Sequence, residues 1–426
     1  MMNDNGRPQS HGRRLSRRGL LRSAAGVAIG SLGLAAAGCS SNEKDTGATA
    51  APTSGPAANS GIIGPVEQNR LRRLKVGLTA WDPTKTFDGY TLFAPMQVHG
   101  NVFLIDMEGN IAHKWDIELP PECVGYHGGY LLPNGNLFYA PQAGTGEAPW
   151  FVFKGAILME VDWDGKILWQ LSQPDQHHDA RILPNGNILT LNTELTPPDV
   201  AARVKGGIPG SQTEQTWCDY VAEVTRDGEI VWEWHAWEHL DTETDIMNSN
   251  DNRQEWTHGN SAEQLPDGNI LVSFRNINTV GIVDRDSGTF VWKLGPPTIA
   301  QQHDPTMLPN GNILIFDNGA HRFDSSLPYS RVIEVDPNTN EIVWRYADKA
   351  MLNFFSPYIS GAQRLPNGNT LITEGNSGRL FEVTMEGELV WEYINPFFGA
   401  DPLFGEGNFV FRSYRYTKDQ LPHLKT

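Results

Sequence analysis

The chain repeats one short pattern of apolar and polar positions. A Leu-Pro-Asn-Gly-Asn phrase, once with Asp for the first Asn, is followed by an apolar run such as Ile188-Leu189-Thr190-Leu191. Apolar runs of this length, bounded by Gly, Pro and Asn, are typical of buried strands joined by tight turns. The five copies begin at Leu132, Leu183, Leu265, Leu308 and Leu365. The pattern therefore predicts five strand–turn–strand units of one kind.

A second phrase follows each copy and consists of an apolar strand, a turn with Asp, Gly or Asn, and a strand that ends in Trp. It occurs six times, because a unit with a degenerate opening at Phe87-Asp88-Gly89-Tyr90 precedes the five copies. Its Trp residues are Trp115, Trp169, Trp232, Trp292, Trp344 and Trp391. Each unit thus has two hairpins, and the units recur roughly every 45 to 65 residues. We expect an all-β, six-bladed β-propeller of four-stranded antiparallel blades over residues 66–426, with the Trp residues packed between blades.

The composition agrees with this architecture. The 426 residues include 43 Gly and 28 Pro, which punctuate many short strands. A propeller grows by adding blades, so one domain of this length is reasonable.

The N-terminal segment has the pattern of an export signal. Ser16-Arg17-Arg18-Gly19-Leu20-Leu21 resembles a twin-arginine motif, and an apolar stretch over residues 20–37 follows it. The stretch ends in Ala36-Ala37-Gly38-Cys39, which resembles a lipobox. We therefore predict a signal over residues 1–38, a lipidated Cys39, a flexible tether over 39–65, and a membrane-anchored protein that faces the periplasm or the cell exterior. An ordinary cleaved signal and an uncleaved anchor helix are the alternatives.

Charge and cysteine usage exclude several classes of partner and site. The net charge is −17, and the predicted signal alone carries six Arg and one Asp, so the mature chain is near −22. The electrostatic field of such a negatively charged chain repels nucleic acid. An anionic ligand therefore requires a local cluster of cationic side chains. Only Cys123 and Cys218 remain in the body, too few for a Cys-rich metal site or an iron–sulfur cluster. They are candidates for a disulfide in an oxidising compartment.

Histidines stand at one position of the repeat. His127, His178 and His303 each lie six residues before the Pro of their own copy, His258 lies eight before, and Ser360 takes the place in the last copy. In a propeller this position begins the innermost strand of a blade, at one mouth of the central channel. We therefore expect these imidazoles to surround that mouth.

One arginine is expected at the same mouth. The symmetry of the hairpin around Pro266-Asp267-Gly268-Asn269 predicts that Asn260 pairs with Arg275, which brings Arg275 to the level of His258. The other copies have Gln142, Thr193, Asn318 and Gly375 at the equivalent position. A single Arg in a repeat that otherwise lacks it indicates a functional role.

These segments resemble the bacterial aryl-sulfate sulfotransferases, six-bladed propeller enzymes that transfer a sulfuryl group between phenols without a nucleotide donor. The resemblance extends from about residue 85 to 417. It is most specific in His258-Gly259-Asn260-Ser261, Ser273-Phe274-Arg275 and Gln302-His303-Asp304. One departure is that well-known members carry an N-terminal β-rich domain, for which this chain has little room.

The resemblance implies particular roles. His303 matches the nucleophile that becomes sulfated, His258 and Arg275 match a His and an Arg from one blade, and His178 matches a His from an earlier blade through the shared His-Asp step. His177 is the alternative to His178. The implied substrates are aryl sulfates and phenols, with no cofactor and no metal. Contacts to the substrate are expected from Asn260, His127 and His177, and a packed residue at the rim is the alternative role of His127.

The residue types suit this chemistry. Sulfuryl transfer, like phosphoryl transfer, passes through a loose transition state, so cationic hydrogen bonds to the non-bridging oxygens contribute most of the catalysis. Arg275 offers a fork of donors, and neutral His303 attacks sulfur. His258 and His178 titrate near neutral pH, so either suits protonation of the leaving phenolate and deprotonation of the acceptor.

Other functions compete with this one. Three imidazoles in a channel suit zinc or copper, although a neighbouring Arg opposes a metal cation. A quinone-dependent propeller enzyme and a non-catalytic binding module are further alternatives. Two insertions, over residues 193–217 and 235–256, are candidates for a lid or a substrate wall.

Overall fold

A computed structural model of the chain describes residues 75–121, 123, 128–143, 154–211, 215–401 and 405–424. The predicted signal, Cys39, the tether and His127 lie outside the described residues. None of the helices within the described ranges is long and apolar enough to cross a membrane.

Six four-stranded antiparallel sheets form the blades of a ring, which confirms the predicted six-bladed propeller. Blade one comprises β27 (Val410–Tyr416), β2 (Tyr90–Pro95), β3 (Asn101–Ile105) and β4 (Ile111–Asp116). Blade two comprises β5 (Gly129–Leu131), β6 (Leu137–Tyr139), β7 (Ala156–Val161) and β8 (Ile167–Gln173). Blade three comprises β9 (Gln176–Ile182), β10 (Ile188–Leu195), β11 (Trp217–Val224) and β12 (Ile230–His235).

The second half of the ring repeats the same order from the centre outward. Blade four comprises β13 (Gly259–Gln264), β14 (Ile270–Phe274), β15 (Thr279–Val283) and β16 (Phe290–Leu294). Blade five comprises β17 (His303–Met307), β18 (Ile313–Asp317), β19 (Arg331–Asp336) and β20 (Glu341–Tyr346). Blade six comprises β21 (Gly361–Arg364), β22 (Thr370–Glu374), β23 (Arg379–Val383) and β24 (Leu389–Ile394), with β1 (Gly77–Trp81) added outside. A small hairpin, β25 (Gly399–Asp401) and β26 (Gly405–Gly407), and two one-turn helices, α1 (Pro198–Ala201) and α2 (Ala236–His239), lie in connecting segments.

The ring closes through its C-terminal strand. The innermost strands β9, β13, β17, β21 and β27 contact one another in sequence around the centre. β27 pairs with β2, so the end of the chain supplies the innermost strand of blade one. The degenerate opening phrase of the first unit has this physical reason: the unit provides three strands of its blade, and the fourth comes from about 300 residues later.

The repeated phrase forms a three-residue turn. The Leu265 N–H donates to Asn269 O at 2.8 Å, the Gly268 N–H donates to Leu265 O at 2.9 Å, and Gly268 has φ of +91°. The same two bonds recur in the copies that begin at Leu132, Leu183, Leu308 and Leu365. A turn with a left-handed Gly inserts one residue and shifts the register of the hairpin.

This shift corrects the predicted pairing of Arg275. Ser261 pairs with Ser273, Gly259 pairs with Phe274, and Asn260 bulges between them. The Arg275 N–H therefore donates to His258 O, at 3.0 Å, and not to Asn260. The prediction that Arg275 lies at the level of His258 is correct, but the prediction that it pairs with Asn260 is wrong.

The six Trp residues join each blade to the next, as predicted. Each indole N–H donates to the turn between the third and fourth strands of the following blade, counted from the centre, and the last bond closes the ring. The bonds run from Trp115 to Asp162 O (3.0 Å), Trp169 to Arg226 O (3.1 Å), Trp232 to Arg285 O (3.1 Å), Trp292 to Asn340 Oδ1 (2.7 Å), Trp344 to Met385 O (2.8 Å) and Trp391 to Met107 O (2.9 Å). Apolar residues of neighbouring blades pack together on the inner side of these six Trp residues.

Trp391 and Trp344 form a matched pair for testing how much these inter-blade hydrogen bonds stabilise the fold. Trp391 is fully buried, and an Arg side chain lies over its ring, as one also does over the ring of the partly exposed Trp344. We expect Trp391→Phe to lower the free energy of unfolding by about 1–3 kcal/mol, because Met107 O loses its donor in a buried place. Trp344→Phe should have a smaller effect, because water reaches Met385. Urea unfolding of both variants measures the difference, and equal losses would contradict it.

Candidate active site

The three innermost strands that carry site histidines begin with irregular pairing. The ladder between β9 and β10 skips from Ala180 to Gln176, the ladder of β13 skips Asn260, and the ladder of β17 shifts after His303. In blade six, where Ser360 replaces His, the ladder is regular. Bulges of this kind re-aim side chains and are frequent next to active sites.

Backbone strain marks the same positions. His178 and His258 have φ of +56° and +49°, a left-handed conformation that is unfavourable by about 1–2 kcal/mol for residues with a Cβ. Strained residues of this kind concentrate at functional sites, where the surrounding structure holds them.

The structure brings His178, His258, Arg275 and His303 together where the innermost strands β9, β13 and β17 begin. The rings of His178 and His258 are edge to face, with their centroids 4.7 Å apart. Arg275 is backbone-paired to His258, and its charge acts on both His258 and His303. His127 lies outside the described residues.

His303 is set up as a neutral imidazole with one defined tautomer. Its Nδ1 lies 2.8 Å from Asn318 Oδ1. The Asn318 amide nitrogen donates to Ser356 O and Ile359 O, so its oxygen must face His303. Nδ1 therefore carries the proton and Nε2 keeps its lone pair. Burial, reinforced by Arg275, holds the pKa of His303 well below its usual value, so the ring stays neutral.

His258 is paired with a buried carboxyl group. Its Nδ1 lies 2.8 Å from the Glu255 carboxylate. Burial, with help from Arg275, lowers the pKa of His258 to about 4, and burial raises the pKa of Glu255 well above its usual value. At neutral pH, Glu255 is thus the acid of the pair and donates to His258 Nδ1, which places the proton of the neutral imidazole on Nε2.

The insertion before blade four fixes Arg275. Asp251 Oδ1 and Asn276 Oδ1 accept from Arg275 Nη1, at 2.9 and 3.0 Å, and Asp251 also accepts from Gln301 Nε2. Among the described residues these contacts occupy Nη1, so Nη2 and Nε remain as donors to two oxygens of an anion. Because Asp251 and Glu255 belong to the insertion over residues 235–256, this segment is a packed part of the site.

His177 and Asn260 lie behind the site. His177 is fully buried and contacts Asp219 and His178, so His178 is the member of the pair that reaches His258. Asn260 is also fully buried, and its Nδ2 donates to Gln302 O at 2.8 Å. Asn260 thus joins blades four and five.

Sequence reasoning missed Arg412, which binds residues adjacent in sequence to the site histidines. Its guanidinium contacts Asp179 and Asp304, each at 3.0 Å, and donates to Asn260 O at 2.7 Å. Burial opposes ionisation of Asp179, but Arg181 and Arg412 outweigh burial and lower the pKa of this carboxyl. The repeated His-Asp step was the available signal, since both of its Asp residues bind this one cation.

The described part of the chain contains no group of three or more His, Cys, Asp or Glu side chains placed to hold a metal ion. Cys123 and Cys218 are not joined to each other by a disulfide.

Comparisons with known proteins identify one family. The family model described as Arylsulfotransferase (ASST) matches residues 151–396, which is more than half of the chain. No curated protein matches the chain.

The chain is distantly similar to several solved structures. A protein of unknown function from Bacteroides caccae is 16% identical with a TM-score of 0.47, over 77% of this chain and 99% of its own. A streptogramin B lyase is 14% identical with a TM-score of 0.43, over 75% and 82%. A virginiamycin B lyase from Staphylococcus aureus is 12% identical with a TM-score of 0.40, over 76% and 90%. At these values none of them bears on the chemistry of the site.

The raised pKa of Glu255 predicts a pH-dependent effect of Glu255→Gln on stability. The proton held by folded Glu255 contributes stability that is fully present below the ordinary pKa of Glu, 4.5, and is lost as the pH rises toward the raised pKa. Gln does not titrate, so the stability of the variant relative to the wild type should improve as the pH rises from 4.5 to 8, by at most about 1.4 kcal/mol per pH unit. Urea unfolding at several pH values measures this slope.

Glu160→Gln is the control with the opposite sign. Burial opposes ionisation of Glu160, but Asn136 and Arg226 outweigh burial and lower its pKa. The relative stability of this variant should therefore decline as the pH rises toward 4.5. A Glu255→Gln effect independent of pH would contradict the proton placement.

Proposed function

The chain belongs to the arylsulfotransferase family, and on that premise we propose that it transfers a sulfuryl group from an aryl sulfate to a phenol in two in-line steps, through a sulfated His303 and without a nucleotide. One observation carries the proposal. His303 donates from Nδ1 to Asn318 Oδ1, so Nε2 of a neutral imidazole keeps a lone pair for attack on sulfur.

In the first step, His303 Nε2 forms a bond to sulfur while the bond from sulfur to the phenolic oxygen breaks. The leaving phenolate takes the proton of His258 Nε2, and Glu255 passes its own proton to His258 Nδ1. In the second step, His258 Nε2 takes the proton of an acceptor phenol, Glu255 takes back the proton on His258 Nδ1, and the phenolic oxygen attacks sulfur. The electron pair of the sulfur–nitrogen bond returns to His303 Nε2.

Arg275 stabilises the charge on the sulfuryl oxygens. A loose transition state gathers negative charge on these oxygens, and a guanidinium presents two parallel donors to them. Asp251 holds Nη1 in place, which orients the other donors before substrate binds. The permanent charge of Arg275 also favours neutral imidazoles beside it, which keeps His303 nucleophilic.

We also propose that the protein is exported by the twin-arginine route and anchored through lipidated Cys39. The motif Arg17-Arg18 and the lipobox that ends in Cys39 support this proposal. Arg17→Lys with Arg18→Lys should retain the protein in the cytoplasm, and Cys39→Ala should leave it exported but without an anchor. Cell fractionation measures both, and unchanged membrane partitioning of Cys39→Ala would contradict lipidation.

His303→Ala should abolish both half-reactions, because no other group then holds the sulfuryl group between donor and acceptor. The assay uses a chromogenic aryl sulfate with and without a phenol, and sustained release of coloured phenol should require the acceptor. Mass spectrometry after incubation with donor alone should find a sulfuryl adduct on the peptide that contains Gln302-His303-Asp304. His113→Ala removes a half-buried histidine that stacks on Trp163 outside the site, and should keep activity.

Arg275→Lys gives the graded comparison. It keeps a charge but loses the two-pronged contact, and we expect kcat/KM to fall about 10²- to 10³-fold. An adduct on His178 or His258 would overturn the role of His303. Full activity of His303→Ala would overturn the proposed function.

A further inference from the structure

Two loops of blade five present apolar side chains to solvent on the same face of the ring. The innermost strand of this blade begins at His303, and its strands alternate in direction. The loops after β18 and β20, over residues 318–330 and 347–360, therefore return to the face at which the site histidines lie. The two loops touch, because Ser325 Oγ lies 3.9 Å from Met351 Sδ. Four apolar residues of these loops, exposed by 45 to 67% and called the apolar rim below, are Phe323, Leu327, Met351 and Leu352.

Buried neighbours hold the apolar rim outward. The buried guanidinium of Arg322 donates to Asp317 Oδ2, at 3.0 Å, and the next residue along the chain is Phe323. In the second loop, Phe354 is fully buried and directly follows the 3₁₀ turn Met351–Asn353, which carries the other half of the rim. Each loop is thus fixed by a buried side chain next to the exposed ones. The fold therefore presents the apolar rim to solvent at a defined place.

The two faces of the ring differ in their exposed apolar residues. In the turns of the opposite face, Met385 is the only exposed large apolar side chain among the described residues. The outermost strands of blades one to five expose one or two each, spread around the circumference. Besides the apolar rim, the face of the site histidines exposes Val76, Leu195, Ile208, Ile246 and Phe398. Over the described parts of the chain, this face is therefore the more apolar of the two.

The first described residues of the chain lie at the same face, in the neighbouring blade six. β24 ends at this face, and Gly77 at the start of β1 pairs with Ile394 at the end of β24. Lys75, which precedes β1, is exposed. Residues 40–74 therefore join the proposed lipid anchor at Cys39 to the face that carries the apolar rim.

Basic residues accompany the apolar rim, although the net charge of the chain is −17. Lys349 is exposed in the second loop, as Lys75 is beside β1. Asp324, the acidic residue of the first loop, pairs with Arg322 at 3.3 Å. The residues that precede Lys75 in the sequence include Arg70, Arg72 and Arg73. Cationic side chains beside exposed apolar ones are the combination that binds an anionic lipid surface.

We propose that the protein docks through the apolar rim onto an anionic lipid membrane. The rim residues enter the boundary between headgroups and acyl chains, where their apolar surface leaves water, and the neighbouring lysines contact anionic headgroups. The inference goes beyond sulfuryl transfer and does not depend on it. The membrane is the occupant because the proposed anchor at Cys39 is joined to this same face, which keeps the rim beside a lipid surface.

The first test measures binding to vesicles without the anchor. The mature chain, with Cys39→Ala in place of the lipidated residue, is sedimented with vesicles of phosphatidylglycerol and phosphatidylcholine. Phe323→Ser with Leu352→Ser should lower the partition coefficient about 10-fold or more, because two large apolar side chains no longer enter the lipid. Val231→Ser with Val291→Ser is the matched control. It removes two equally exposed apolar side chains from outermost strands and should leave the partition coefficient unchanged.

A second pair of substitutions tests the charge. Lys75→Glu with Lys349→Glu should lower binding to the mixed vesicles about 10-fold, because cations near anionic headgroups are replaced by anions. Binding to vesicles of phosphatidylcholine alone should change little. An equal loss on both kinds of vesicle would contradict docking onto an anionic surface.

A fluorescent label reports which face meets the lipid. With Cys123→Ser, and with Cys218 buried, an environment-sensitive dye is attached at Leu352→Cys or at Glu386→Cys, which lies in an exposed turn of the opposite face. On mixed vesicles the emission of the dye at position 352 should shift to shorter wavelength, and that of the dye at position 386 should not. A shift at both positions, or at position 386 alone, would overturn the proposed orientation.

The remaining outcomes also decide the proposal. Absence of vesicle binding by the anchor-free protein, or binding that the rim substitutions leave unchanged, would overturn it. A dimer in sedimentation equilibrium that the rim substitutions dissociate, without vesicle binding, would assign the apolar rim to a second copy of the chain and would also overturn it. None of these measurements involves sulfuryl transfer, so their failure is distinct from failure of the proposed function.

Discussion

One arginine at the centre of the ring holds the site together. Arg412 comes from the C-terminal strand of blade one and contacts Asp179 of blade three, Asp304 of blade five and the Asn260 carbonyl of blade four. Each of the two Asp residues directly follows a site histidine, and Asn260 follows the third by two positions. Buried charges of this kind are stable only when paired and hydrogen-bonded. The closure of the ring and the spacing of the three histidines therefore depend on the same ion cluster.

The chemistry of the site depends on which ring nitrogen of each histidine carries a proton. Burial keeps His258 and His303 neutral, and the fixed charge of Arg275 reinforces this. The partner of each imidazole then decides which nitrogen carries the proton: an amide oxygen for His303 and a carboxylic acid for His258. Two histidines from the same repeat can thus act as nucleophile and as acid and base without changing their residue type.

The repeat predicted the blades and the convergence of the histidines, because symmetry alone places equivalent residues at one mouth. It also singled out Arg275 as the exception among its equivalents. The predicted pairing of Arg275 with Asn260 was wrong because two irregularities shift the register of the hairpin. One is the extra residue in the turn with the left-handed Gly, and the other is the bulge beside His258. Sequence reasoning missed Glu255 because it lies in an insertion, where there is no repeat to compare it with. It missed Arg412 because the strand that carries this residue, β27, pairs with β2 near the other end of the chain. Asn318 occupies the place of Arg275 in its own blade, but its role depends on two carbonyls of a distant loop.

The central claim is that His303 presents the lone pair of Nε2 as a neutral imidazole. Long-range ¹H–¹⁵N correlation spectra of histidine-labelled protein report this directly, because protonated and unprotonated ring nitrogens resonate at well-separated positions. The account predicts that, from pH 5 to 8, the His303 signal shows a protonated Nδ1 and an unprotonated Nε2. Asn318→Leu should weaken this preference, because the longer contact of Nδ1 with Gln301 O, at 3.3 Å, remains. A His303 that is an imidazolium at pH 7, or that carries its proton on Nε2, would contradict the account.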